Sequence, residues 1–316
     1  MLTLIKILIG LLLLGIILWR LDVHAILHAI GSYRAEYVAA SAILFLLACL
    51  IAVLRWRLFV PQFGFVALLR LSFIGQLYAM LLPGQVAGEA VKAYRIAKGQ
   101  SQKTRLVASV LIDRVVGTLA LLCVGAAGLW LSPRSTNLAL GLSFFVLIAL
   151  VCAALIVLRI PAMYLLSMRI AERLRRAGPR CARMASSMVH FFGVWRDYAM
   201  EPSKLVASFV LGLVIHCLGV AIYAILARDL GIDVALTDWL WIVAIVALAV
   251  LLPVSIAGIG LREGALVGSL GYLGVQGERA IALSFGVFAL TVFGALIGWL
   301  VEITDRPPVT PENETS

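Results

Sequence analysis

The chain turns on Leu81-Leu82-Pro83-Gly84-Gln85-Val86-Ala87-Gly88, an octet set inside apolar sequence and followed directly by Glu89. A second octet, Leu251-Leu252-Pro253-Val254-Ser255-Ile256-Ala257-Gly258, repeats its Leu, Leu, Pro, Ala and Gly without a gap. Glu263 follows this one after a short insert containing Gly260. Proline lacks the amide hydrogen that a helix interior needs, and glycine is a poor helix former. Each octet should therefore stop one helix and start another, with Pro83, Gly84, Gly88, Pro253, Gly258 and Gly260 as the structural breaks. In hydrocarbon the freed backbone groups and the carboxylates are costly unless protein or water satisfies them. Two such breaks in corresponding halves predict an inverted repeat whose interrupted segments meet near the middle of a bilayer.

Composition fixes the solvent. Of 316 residues, 63% are hydrophobic and the mean hydropathy is +1.08, which excludes an ordinary soluble domain and indicates an all-α polytopic membrane protein. In such a chain a net charge of +10 reflects basic cytoplasmic loops facing anionic lipid, not a nucleic-acid partner. The five cysteines are scattered without a Cys-x-x-Cys pattern. His24 and His28 are spaced i, i+4 but have no third ligand nearby, so no metal and no cofactor is expected.

Apolar runs predict about six full spans, at 2–19, 38–54, 106–131, 138–158, 205–227 and 280–301. Two broken segments, 66–98 and 239–275, remain. Five basic residues fall in 92–105 and nine in 159–204, which puts both stretches in the cytoplasm. Arg55-Trp56-Arg57 reads as an aromatic-basic interface anchor on the same side. Segment 66–98 then begins and ends in the cytoplasm, as a re-entrant hairpin. The connection 228–238 carries Asp229, Asp233 and Asp238 and falls outside, so the second hairpin dips from the opposite face. The resulting expectation is an integral membrane domain at 1–303 with both termini cytoplasmic, and a disordered tail at 304–316. Within the basic region 159–204, Leu166, Ile170 and Leu174, and then Met184, Met188, Phe191, Phe192 and Trp195, form stripes suited to the surface of an anionic leaflet.

Chemistry is expected at the breaks. A helix restarting at membrane depth presents free N–H groups and positive partial charge, which suits an anionic group such as a lipid phosphate. Glu89 and Glu263 sit in the first turns of the restarted helices, as caps or as functional partners. Asp113 and Arg114 are neighbours on one predicted helix and point about 100° apart, so each needs a partner elsewhere; Arg114 with Glu89 is the expected pair. The candidate cavity residues are Gln85, Glu89, Lys92, Arg95, Asp113, Arg114, Ser255, Arg262 and Glu263. Glu89, Arg114 and Glu263 are expected to line one central cavity, with Arg114 as the phosphate anchor. His216 reads as a buried hydrogen-bonding residue, Gly294 with Gly298 as close internal packing, and Glu302 as interfacial.

The Pro83-Gly84…Gly88-Glu89 block, Asp113-Arg114 and Pro253…Gly258-Ile259-Gly260…Glu263 resemble the transmembrane region of lysylphosphatidylglycerol synthases, over most of residues 1–303. The resemblance implies a flippase-like role in handling phospholipids at the bacterial inner membrane. Two departures stand out: Asp113-Arg114 replaces a Glu-Arg pair, and Val115-Val116-Gly117 lacks an acidic residue that the family often carries. No soluble aminoacyl-transfer domain follows in this sequence, so lysyl transfer is not expected. No Gly-x4-Gly-Lys-[Ser/Thr] sequence is present, which argues against a built-in Walker-type ATPase. The expected function is movement of a lipid or lipid-linked headgroup, not catalysis. The alternatives are a non-transporting scaffold of a lipid or glycan synthesis complex, and a membrane-embedded lipid-modifying enzyme. Expected partners are anionic membrane phospholipids, with a homo-oligomer left open.

Overall fold

The computed structural model describes residues 23–82, 86–132, 138–159, 168–173, 179–252, 254–255 and 257–304. The predicted first span at 2–19, the break residues Pro83, Gly84, Gln85 and Pro253, and the tail beyond 304 lie outside the described residues, as does most of 162–178. Among the described residues the regular structure is entirely helical. The first half contains α1 (Val23–Gly31), α2 (Ala35–Arg57), α3 (Phe65–Leu81), α4 (Val86–Ala97) and α5 (Lys103–Leu131). α6 (Leu138–Arg159) follows. The second half contains α7 (Pro179–Ala199), α8 (Pro202–Asp229), α9 (Leu236–Leu251), α10 (Leu261–Tyr272) and α11 (Gly277–Thr304).

Among the described residues four helices, α2, α5, α8 and α11, are long and apolar enough to cross a membrane. α5 is the most enclosed of them, and α2 and α8 turn most of their surface outward, as lipid-facing helices can without hydrophobic penalty. The arms of the two broken segments are shorter. α3 has 17 residues and α4 has 12; at 1.5 Å per residue they extend about 25 and 18 Å, against about 30 Å of hydrocarbon. α9 and α10, with 16 and 12 residues, repeat these proportions. Helix α3 ends where Leu82 leaves the helical region (ψ 153°), as expected of a residue before proline.

The helices pack in matched sets. α2 lies along α8, α3 along α11, and α9 along α5; α4 touches α5 as α10 touches α11; α1 touches α11 as α7 touches α5. The α3–α11 contact is close because of glycine. A Cβ on Gly298 would strike the Phe73 carbonyl, and one on Gly294 would strike the side chain of Gln76 on α3. The GxxxG sequence therefore serves internal packing, as expected.

Polar contacts show which helix ends lie together. Arg34, just before α2, donates its backbone N–H and its Nε–H to the Asp229 carboxylate at the end of α8, both at 2.8 Å. Arg279, early in α11, donates to the Gly231 carbonyl at 3.0 Å, and Ser132, just past α5, donates to Asp238 at the start of α9. These contacts gather the entry of α9 and the start of α11 at the Ala35 end of α2. At the other end of α2, the single hydroxyl proton of Tyr198 lies between the carbonyls of Phe59 (3.1 Å) and Arg105 (3.3 Å). Phe65, Ile96 and Ala97 pack there with Val60, Phe63 and Leu106. Both ends of the α3–α4 hairpin thus lie at the Arg57 end of α2, and both ends of the α9–α10 hairpin lie at the Ala35 end.

Two expectations need correction. Arg55-Trp56 is not an interface anchor. Both residues are buried, because the face of α2 that carries them turns inward against α5, where Trp56 Nε1 donates to Ser109 Oγ at 3.2 Å. The apolar stripe at 184–195 is also partly used within the protein: Val194, Trp195 and Tyr198 pack against Phe59, Ala108, Ile112 and Val116, so this part of α7 is docked on α5 and not available to a leaflet.

Candidate functional site

A cavity of about 450 Å³ opens where the two hairpins approach each other. α2, α3, α4 and α5 supply most of its wall, Ile215 and His216 of α8 close one side, and Thr291 of α11 another. The second hairpin contributes Ala247, Leu251 and Ala257, so its share is apolar. Close backbone approach makes the first hairpin compact: a Cβ on Gly88 would collide with the Gly75 carbonyl and lie 2.7 Å from the Ala79 methyl. A residue larger than glycine at 88 would push the start of α4 away from α3. Glu89, the next residue, owes its position over the cavity to that contact.

Five charged side chains face this space. Glu89 and Lys92, three residues apart on α4, share a helix face, with Lys92 Nζ 3.3 Å from Glu89 Oε2. Arg114 Nη1 lies 4.0 Å from Glu89 Oε1. The expected Arg114–Glu89 pair therefore exists, but it is the looser of the two contacts that Glu89 makes. Lys92 is buried and also lies 4.1 Å from the centroid of the Trp56 ring, a cation–π contact that offsets part of its desolvation. Asp113 finds its partner in Arg55, with Nε to Oδ1 at 2.8 Å and Nη2 to Oδ2 at 3.0 Å. This is the two-pronged geometry in which arginine and carboxylate bind most strongly. Asp113 and Arg55 are nearly enclosed, whereas Glu89 and Arg114 retain side-chain exposures of 29% and 38%. The cavity thus has a closed pair at its base and an open set above it.

Gly117 explains how the base is built. A Cβ there would lie 2.6 Å from Arg55 Nη1 and 3.0 Å from its Cζ, so the guanidinium rests flat on bare backbone. The Gly117 carbonyl accepts the Nε2–H of His216 at 3.0 Å. Arg55 and His216 are the site residues that sequence reasoning undervalued. The signal available for Arg55 was the need of Asp113 for a cation on another helix; its place beside Trp56 and Arg57 at a helix end masked it.

The other candidates lie elsewhere. Arg262 and Glu263 are not among the residues lining this cavity, which corrects the expectation that Glu263 joins Glu89 and Arg114. Glu263 Oε2 accepts the Gly260 N–H at 2.6 Å, and its Oε1 accepts the Ser284 hydroxyl and Arg262 Nη2. Arg262 donates from Nε to Ser284 Oγ at 2.9 Å and stacks over Phe288. Both residues are buried. The local cause is Gly260: its φ of +83° reverses the chain in a conformation suited to glycine, and the carboxylate at the third helical position turns back to cap it. Ser255 is buried in the preceding turn, outside the cavity lining. Arg95 pairs with Glu302, which also accepts the Tyr78 hydroxyl at 3.3 Å; these contacts tie α4 and α3 to the end of α11. Gln85 lies outside the described residues.

The cavity residues and both breaks fall within one continuous family match. Residues 3–298 match the family described as Lysylphosphatidylglycerol synthase TM region. No curated protein and no solved structure matches the chain. With nearly its whole length inside that match and an apolar, all-helical fold, this multi-pass membrane protein belongs to the lysylphosphatidylglycerol synthase TM region family.

Proposed function

We propose that this protein moves a phospholipid, or a lipid-linked headgroup, across the bacterial inner membrane without chemistry of its own. The observation carrying the proposal is the cavity between the hairpins, where Arg55, Lys92 and Arg114 stand against Glu89 and Asp113. Charged side chains at membrane depth are expensive and ordinarily face a substrate path or one another. Here they do both: Arg55 and Asp113 satisfy each other, while Glu89 and Arg114 remain accessible. Arg114 offers a planar fork suited to two phosphate oxygens, and Glu89 holds it when no lipid is bound.

The same proposal includes the inverted repeat and the re-entrant hairpins. Its support is the matched packing of α1–α5 with α7–α11, the short arms, and the entry of the two hairpins from opposite ends of α2. On this reading Arg57 and Lys98 are cytoplasmic, as are both termini, and Asp233 is external. Single cysteines at 57, 98 and 233 in a cysteine-free background should label from one side, the same side and the opposite side, respectively. Labelling of 57 and 98 from opposite faces would end the re-entrant reading.

Transport itself is tested in proteoliposomes containing only this protein and a fluorescent phospholipid. Glu89→Gln keeps the shape and removes the charge, and it is expected to lower flux on the order of tenfold or more, the factor set by losing one close charge contact in a site of reduced dielectric. Arg114→Lys keeps the charge, loses the fork, and is expected to lower flux less. Folded protein that scrambles no lipid, or two variants that move lipid like the parent, would defeat the proposal and favour a scaffold.

A further inference from the structure

We infer that His216 is the proton-binding site of this cavity, and that the protein carries a proton together with its anionic ligand, so that a pH gradient drives transport. The inference rests on the translocation reading above and adds an energy source to it. His216 of α8 lines the same cavity as Glu89 and Arg114. Its Nε2 lies 3.0 Å from the Gly117 carbonyl of α5. A carbonyl oxygen only accepts, so Nε2 carries the ring proton and Nδ1 keeps the lone pair. Holding a helix carbonyl requires nothing more than an N–H, which glutamine also supplies. What imidazole adds is a second nitrogen that takes up a proton within the physiological pH range. His216 is partly exposed, so that proton can come from water in the cavity.

The surroundings couple this nitrogen to the ligand. Gly117 follows Arg114 by three residues and Asp113 by four, which puts all three on one face of α5. The imidazole that holds Gly117 therefore sits beside the charged face of that helix. The titratable and charged groups that share the cavity lining with His216 are Cys49 and Arg55 from α2, Glu89 and Lys92 from α4, and Asp113 and Arg114 from α5; the lining residues of α3, α9 and α11 bring none. Asp113 is held by Arg55 through both oxygens, Glu89 lies against Lys92 and Arg114, and the Cys49 thiol accepts a hydrogen bond from Gln76. Each lining carboxylate thus already has a cation. The imidazole is the lining group that can take up a proton without breaking an ion pair. An anionic group entering this space attracts a proton to Nδ1, and a proton on Nδ1 attracts the anionic group. The two affinities change by the same factor. The proton is conserved through the cycle: water on the acidic side delivers it to the Nδ1 lone pair, and it returns to water on the alkaline side as the ligand leaves.

The test uses phosphatidylcholine proteoliposomes that contain this protein and a trace of tail-labelled phosphatidylglycerol as the anionic probe. Potassium and valinomycin hold the membrane potential at zero. A difference of one pH unit across the bilayer is expected to concentrate the probe about tenfold in the leaflet on the alkaline side, the ratio set by one proton carried per lipid. His216→Gln keeps a donor for the Gly117 carbonyl but takes up no proton, and its two leaflets are expected to hold the probe equally. The parent protein alone decides the coupling, so the test does not depend on how well the variant folds. Equal leaflets in a parent protein that still moves the probe overturn the coupling and leave translocation standing. An asymmetry of the parent's size in folded His216→Gln overturns the assignment to His216. A probe that moves no faster than in protein-free liposomes overturns translocation and this inference together.

Discussion

Asp113→Ala is expected to cost about 3–5 kcal/mol of folding free energy, because removing one partner of a buried ion pair leaves the other charge stranded. Arg55 has little way to relax. Its guanidinium lies on Gly117 and near Gly212, with less than an eighth of its side chain exposed, and its Nε and Nη2 would lose their acceptor together. The effect should be read as a lowered melting temperature of the purified protein in mild detergent. The double variant Arg55→Met with Asp113→Leu is expected to recover much of the loss, since a buried ion pair replaced by apolar groups of similar volume is often neutral or stabilising. An Asp113→Ala protein that melts with the parent would mean that Arg55 finds another partner and that the pair does not anchor the base of the cavity.

The second large effect is expected at the other break. Glu263→Ala removes the acceptor of the Gly260 N–H and the carboxylate partner of Arg262 in one step. The stranded charge contributes about 3–5 kcal/mol and the lost cap about 1 kcal/mol, moderated by the contacts Arg262 keeps with Ser284 and Phe288. Glu263→Gln can still accept the Gly260 N–H and should be milder than Ala. Glu89→Gln should behave differently: Glu89 is more exposed, so its stability loss should be about 1 kcal/mol or less, while flux falls sharply. Thermal melting of the three variants beside the flux assay separates the roles. Should Glu263→Gln abolish flux while melting like the parent, the assignment of Glu263 as a structural cap would be wrong.

The contrast between the two carboxylates has a physical basis. Each follows a Pro/Gly break and each lies in the first turn of a restarted helix. At the second break the chain turns through Gly260 in a left-handed conformation, the carboxylate folds back on it, and Arg262 and Ser284 complete a closed network. At the first, Gly88 is pressed against Gly75 and Glu89 projects over open space toward Lys92 and Arg114. The repeated sequence thus supports one sealed site and one accessible site.

Much of the architecture was legible in the residues alone. The apolar runs and the two Leu-Leu-Pro breaks were enough to place most of the described helices and to pair Gly294 with Gly298 as a packing seam, because helix periodicity, proline chemistry and the membrane's demand for satisfied backbone are local rules; α1, which lies between the apolar runs 2–19 and 38–54, was not among them. Partners across helices were not legible. Arg55 and Arg57 differ by two positions, yet one is buried on Asp113 and the other is only partly covered, and nothing in Arg-Trp-Arg says which face turns inward. Glu89 and Glu263 follow similar breaks, yet only the first opens on the cavity. Those choices depend on side chains brought together from positions 55, 89, 113 and 284, and only the packing of α2, α4, α5 and α11 decides which charges meet and which remain open to a ligand.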